Sequence, residues 1–131
     1  MAGEKDLNQL LKNLKPILNQ GQYVFVSVAN PTIYAHENII GFFREKEGST
    51  LIIEKEYADE MKLPYEFIAS WITLNVHSDL EAVGLTAKFS RVLAKNNISC
   101  NVVAGYYHDH IFVGHEDAQR SMKILSEMAA A

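Results

Sequence analysis

The stretch ITLNVHSDLEAVGLTAKFSRVLAKNNISCNVV, residues 72–103, decides the fold. It opens as a strand of period two, with Ile72, Leu74 and Val76 on one face and Trp71, Thr73, Asn75 and His77 on the other. A polar loop ending in Gly84 follows, and then Leu85, Phe89, Val92 and Leu93 recur at three-and-four spacing, with Lys88, Arg91 and Lys95 off the stripe. This predicts an amphipathic helix over residues 85–95, and residues 98–104 return to strand alternation. A helix that begins just past a glycine loop at the end of a strand directs unpaired backbone N–H groups at that end of the sheet. An anion such as an amino acid's carboxylate suits the place. The pattern therefore reads as a binding unit.

Outward from this stretch, the second half continues with a turn at residues 106–109, a strand at 110–113 and a final helix over 116–128 with the stripe Ala118, Met122, Leu125 and Met128. The first half opens on a helical stripe of Leu7, Leu10, Leu11, Leu14 and Leu18, interrupted by Pro16 and closed by Gly21. YVFVSVA at 23–29 is β-branched and aromatic, and the Asn-Pro-Thr of 30–32 ends it as a turn. Residues 39–55 read as a hairpin around 47–49, and 56–63 as a short helix stopped by Pro64. At an offset of sixty residues, Leu51, Ile52 and Ile53 fall on Ile111, Phe112 and Val113, and Glu56 and Ala58 on Glu116 and Ala118. This points to an internal repeat. The first copy has only residues 30–38 where the second has its first helix, so it is a reduced version.

Composition bounds the function. A hydrophobic share of 48% over 131 residues suffices for one compact domain or two small halves. A net charge of −4, without a dense basic cluster, argues against a nucleic-acid partner. The single cysteine, Cys100, leaves no disulfide framework, no cysteine-based zinc site and a reducing compartment as the default. The start, MAGEKDLNQL, is charged where a secretory signal is apolar, and no run approaches the roughly 20 apolar residues of a membrane span, so a cytoplasmic location is expected.

The order strand, helix, strand, strand, helix is one strand short of the βαββαβ plan of ferredoxin-like domains. Within it, residues 76–103 resemble the signature stretch of ACT domains, small regulatory modules that bind amino acids. Val76, Gly84, Leu85, Ala87, Phe89, Leu93, Ala94, Ile98 and Asn101 carry the match, with Val83 standing where that pattern has proline. Residues 43–78 and 101–113 resemble a family of small bacterial proteins built of two ACT-like halves, related to the ACT module of cellular arginine sensors. The resemblance implies an α+β fold of tandem ACT-like halves, antiparallel sheets with helices on one face, and strands exchanged between halves to complete each sheet. It sets a reduced half at 1–63 and a full one at 64–131. It also implies a ligand site made by Asp79, Val83, Gly84 and Leu85 of the loop and Asn101 of the following strand, with a free amino acid or similar zwitterion as ligand.

Competing readings stand beside these. Ser78 and Glu81 form the S-x-x-E of a capping box, which would start the helix early instead of leaving a binding loop. His108, Asp109 and His110 place two imidazoles on one strand face, as a metal-dependent enzyme could use, or else form a polar hairpin turn. No nucleophile elbow, zinc-protease motif or phosphate loop is present, and Cys100 alternates with Ile98 and Val102 as a core residue would. Trp71, Tyr106 and Tyr107 either pack within the monomer or line an uncovered sheet face that pairing into a homodimer would bury. The sequence thus points to a non-enzymatic amino-acid sensor without cofactor. A metal enzyme and a purely structural dimerisation module are the alternatives.

Overall fold

The computed structural model describes residues 6–76 and 83–130. Its elements run α1 (Leu7–Asn13), β1 (Pro16–Leu18), β2 (Tyr23–Val28), two 3-10 turns (Pro31–Ile33 and His36–Asn38), β3 (Ile39–Arg44), β4 (Ser49–Glu54) and α2 (Lys55–Glu60). They continue with β5 (Ile68–Leu74), α3 (Leu85–Lys95), β6 (Asn101–Ala104), β7 (Asp109–Gly114), a third 3-10 turn (His115–Asp117) and α4 (Ala118–Ala130).

The leading segment departs from the helical stripe read along 7–18. Asp6 starts α1 as its cap, its Oδ1 accepting from the backbone N–H of Asn8 at 2.9 Å and of Gln9 at 3.4 Å. The helix ends at Asn13, and Leu14 is already extended at φ −67°, ψ 125°. The cause is Pro16, which disfavours helical backbone at Lys15 and can itself open a strand, where its missing N–H costs little. Leu18, expected on the helix, therefore stands on β1.

The chain packs as two compact units, Gly21–Ala69 on one hand and Met1–Gln20 with Ser70–Ala131 on the other. This division by contacts differs from one drawn along the sequence at 63/64, because the N-terminal residues pack with the C-terminal elements and β5 supplies its first two residues to the smaller unit.

In the smaller unit the strand order is β3-β4-β2-β5. β2 pairs with β4 antiparallel from Tyr23↔Glu54 to Val28↔Ser49, and Ile68 and Ala69 of β5 pair with Val24 and Tyr23. The alternating Val24, Val26 and Val28 meet Leu51, Ile53 and Ala58 in the core. A register shift between Ile39 and Gly41 interrupts the β3–β4 ladder. The Ile52 side chain lies over Gly41, its Cδ1 2.8 Å from where a Cβ would stand. Between β2 and β3 there is no helix. The Asn30 side chain caps the first 3-10 turn instead, accepting from Thr32 N at 3.1 Å.

In the larger unit the order is β1-β5-β7-β6. The strand missing from a second half that began at residue 64 is thus β1, which pairs antiparallel with β5 through Pro16↔Leu74, Ile17↔Thr73 and Leu18↔Ile72. Ile72 and Leu74 of β5 and Ile111 and Val113 of β7 turn one sheet face to the helices. Leu10 of α1, Leu85, Phe89 and Leu93 of α3, and Leu125 of α4 close over it. α3 ends with Asn97 in the left-handed region at φ 60°, and Arg120 of α4 donates to the Asn96 carbonyl at 3.1 Å.

Leu10 is fully buried. Replacing it with alanine should cost about 2–5 kcal/mol in urea unfolding, whereas Ile33→Ala, at an exposed site, should stay within about 0.5 kcal/mol. Equal effects would mean that α1 lies outside the core.

Candidate functional site

Of the residues nominated from the resemblance, Val83, Gly84, Leu85 and Asn101 are described, and Asp79 lies outside the described residues together with Ser78 and Glu81 of the alternative capping box. Gly84 is the N-cap of α3 and adopts φ 101°, ψ −18°, a left-handed conformation that glycine enters without strain. It has no side chain to cap the helix, and the first turn of α3 holds no acidic residue. The helix therefore presents first-turn N–H groups and the positive end of its dipole at this place. Val83 beside it is 83% exposed, while Leu85 points into the core and can contribute only its backbone N–H. One neighbour narrows the site, because Leu7 Cδ2 stands 3.1 Å from where a Cβ on Gly84 would lie. Asn101 is exposed at the start of β6, and its Nδ2 donates to the Phe112 carbonyl at 3.4 Å.

The opposite sheet face of this unit carries a second group of polar side chains. Alternation puts Trp71 and Thr73 of β5 there, and Phe112 and His110 of β7. The Trp71 ring stacks on Phe112, centroids 6.2 Å apart and planes 19° apart. Trp71 Nε1 donates to His110 Nδ1 at 3.0 Å, and Thr73 Oγ1 lies 3.1 Å from the same nitrogen. Asn19, just past β1, donates its Nδ2 to Thr73 Oγ1 at 2.9 Å. Sequence reasoning placed Trp71 and Thr73 on one face but had no reason to bring Asn19 to them, since β1 was read as helix. Tyr106 and Tyr107 are exposed at the β6–β7 hairpin and meet edge to face at 5.0 Å.

The His108-Asp109-His110 turn shows separate environments. The two imidazoles are 6.5 Å apart, centroid to centroid, and His110 commits its Nδ1 to Trp71 and Thr73. Burial lowers the pKa of His110, aided by the neighbouring His108 charge and opposed by Asp109. Burial likewise raises the pKa of Asp109, with His110 acting against it. Among the described residues no three His, Cys, Asp or Glu side chains stand close enough to hold a metal ion. His115 is engaged elsewhere, its Nδ1 2.8 Å from the buried Ser70 hydroxyl.

In the smaller unit, residues 31–36 and the tip of the β3–β4 hairpin border an open groove of about 970 Å³, with Tyr34, His36, Phe42, Arg44 and Lys46 along it. Glu45 is held at its edge by the Thr50 hydroxyl. The 3-10 turns that border the groove hold the place in chain order, between two strands, that α3 holds in the larger unit.

The ACT-domain family is matched twice along the chain, over residues 2–70 and over residues 66–127. The chain belongs to the ACT-domain family. ACT domains are regulatory modules that bind small molecules, and the tandem, ferredoxin-like reading of the sequence is that of the fold. A crystal structure of a Vibrio cholerae protein of unknown function, described as a possible transport protein, is 48% identical, with 95% of this chain and 97% of that one aligned at a TM-score of 0.86. An Agrobacterium tumefaciens protein shares the fold at 14% identity and a TM-score of 0.71, over 88% of this chain and 89% of its own. The ligand-free regulatory subunit of aspartate kinase from Thermus thermophilus shares it at 10% identity and a TM-score of 0.61, over 86% and 95%. No curated protein matches the sequence. Among the described residues, no helix is long and apolar enough to cross a membrane.

Cys100 is half-buried against the core, and burial pushes its thiol up to about 11. Alkylation by iodoacetamide at pH 8 should be at least ten-fold slower in the folded protein than in urea, as expected of a thiol with little thiolate at that pH. Equal rates would return Cys100 to the list of nucleophiles.

Proposed function

We propose that this ACT-domain protein is a non-enzymatic sensor that binds a free amino acid or similar zwitterion, with the ligand carboxylate at the first turn of α3, and passes its occupancy to a partner as a homodimer. The observation that carries the reading is the start of α3. A left-handed glycine removes any capping side chain, so a carboxylate can take the N–H groups that a capping residue would otherwise satisfy. Val83 offers an exposed apolar side for the ligand's side chain, and the resemblance assigns its polar end to the exposed Asn101, which stands on the sheet face of its ladder partner Phe112. Membership of a family of regulatory modules supports the absence of chemistry. So does the state of the two groups an enzyme would recruit, a Cys100 thiol held protonated and a His110 imidazole already engaged. The same fold forms the regulatory subunit of an aspartate kinase, which supports a role in controlling another protein. Pairing of two copies has its support in the sheet face of the larger unit that lies away from the helices, where Ile17 of β1 is 45% exposed. Binding can alter a partner only to the extent that the ligand favours one state of the protein over another.

A thermal-shift panel of the amino acids tests the ligand class. At a hundred times its dissociation constant a ligand adds about 2.7 kcal/mol, roughly 10 °C for a chain of this size. A flat panel at millimolar concentration would sink the sensor reading. With a responding amino acid in hand, Asn101→Ala should shrink the shift by at least half, and an unchanged shift would clear Asn101. Gly84 is a poorer probe. Any Cβ there enters a positive φ and presses on Leu7, so Gly84→Ala should lose about 1 kcal/mol of stability without ligand.

A further inference from the structure

The polar group on the helix-free sheet face of the larger unit fixes the protonation of one histidine. An indole N–H can only donate, so the 3.0 Å contact between Trp71 Nε1 and His110 Nδ1 makes that nitrogen an acceptor. The neutral ring then carries its proton on Nε2. Thr73 agrees with this. Its oxygen accepts from Asn19 Nδ2 at 2.9 Å, leaving its hydrogen to point at His110 Nδ1, 3.1 Å away. Asn19 also binds the Trp71 carbonyl twice, by its backbone N–H at 2.9 Å and by Nδ2 at 3.2 Å. A single imidazole lone pair thus receives both Trp71 and Thr73, and the segment just past β1 is tied to the same two residues.

A second proton on His110 reverses this arrangement. Nδ1 becomes a donor facing two donors. Thr73 can rotate its hydroxyl and accept, but Trp71 has no acceptor to offer. The indole must then leave its place beside His110, where the rings stand 5.7 Å apart at 57°, and with it the stack on Phe112. We propose that His110 is a proton-operated latch: neutral, it holds the Trp71 indole on the sheet face, and protonated, it releases the indole and changes the surface this face presents.

The surroundings decide where the latch works. β5 faces His110 with the uncharged Trp71 and Thr73, the segment past β1 with Asn19, and β6 with Val103, its partner in the ladder. The hairpin contributes Gly105, whose missing side chain leaves room beside His110 Nε2, and the titratable Tyr106, Tyr107, His108 and Asp109. Burial and the His108 charge disfavour the imidazolium more than Asp109 favours it, so His110 titrates below its ordinary 6.5 in the folded chain. The unfolded chain then takes up the proton first. The stability contributed by the neutral ring is therefore present above about pH 6.5 and is lost as the pH falls through the folded value.

The chain has one tryptophan, so its emission reports the latch directly. Titration of the 131-residue chain from pH 7.5 to 4.5 should show one emission step with a midpoint below 6.5, while the far-ultraviolet circular dichroism stays constant. The step should vanish in His110→Gln and persist, with a higher midpoint, in His108→Ala. A step that survives in His110→Gln, a flat wild-type curve, or a step that coincides with loss of secondary structure would overturn the latch. Should His110→Gln fail to fold, long-range proton–nitrogen spectra of the wild-type imidazoles decide. The Nε2–H tautomer at His110 near pH 7.5 supports the latch, and the Nδ1–H tautomer ends it.

Discussion

The pairing of three residues near the N-terminus, Pro16, Ile17 and Leu18, with Leu74, Thr73 and Ile72 is the contact on which the larger unit depends. A βαββα segment leaves one edge of its first strand open, and that edge lies beside the most buried positions of the sheet. β1 closes it. Its antiparallel ladder satisfies the backbone of β5 where Ile72 and Leu74 are fully buried, and unpaired polar groups there would each cost about 1–3 kcal/mol. It also carries α1 onto the helical layer, so that Leu10 and Leu14 join a core otherwise built from residues after 70.

Two functional consequences follow, one on each side of that sheet. On the helical side, α1 approaches the start of α3 closely enough for Leu7 to border Gly84, which narrows the space at the proposed carboxylate site. The left-handed glycine and the uncapped first turn remain the polar feature of that end. On the other side, the residue that follows β1 is Asn19, which holds Trp71 and Thr73 and through them His110. The proposed carboxylate site at the start of α3 and the proposed latch at His110 thus both border elements that β1 holds in place.

The smaller unit shows what becomes of the same plan without its first helix. Its sheet order, β3-β4-β2-β5, repeats that of the larger unit, and Leu51–Ile53 and Ala58 are buried as Ile111–Val113 and Ala118 are. Two 3-10 turns stand in for the helix, and the open groove beside them is lined by aromatic and charged side chains in place of a hydrophobic stripe. Its short α2 leans on a local arrangement instead, with Asp59 accepting from Lys55 Nζ at 3.0 Å and from Tyr65 Oη at 2.7 Å.

The sequence by itself determined the elements whose periodicity is long and uninterrupted: α3 at residues 85–95, the two hairpins, the strand that became β5 and the final helix. Hydrophobic spacing is a local property, and it predicts which face of each element will be buried. It also determined the family, through the glycine loop and the Leu85, Phe89 and Leu93 stripe. What only the tertiary structure decided is non-local. Three residues with a proline at their head have no strand signal of their own, and β1 exists because β5 offers a ladder to complete. Asn19 gained its role for the same reason, some fifty residues from Trp71 and Thr73 along the chain and within hydrogen-bond distance in space. Likewise the tautomer of His110 follows from an indole donor contributed by another strand. Pairing between distant segments selects among the weak preferences of a short peptide, and no window of sequence contains both partners.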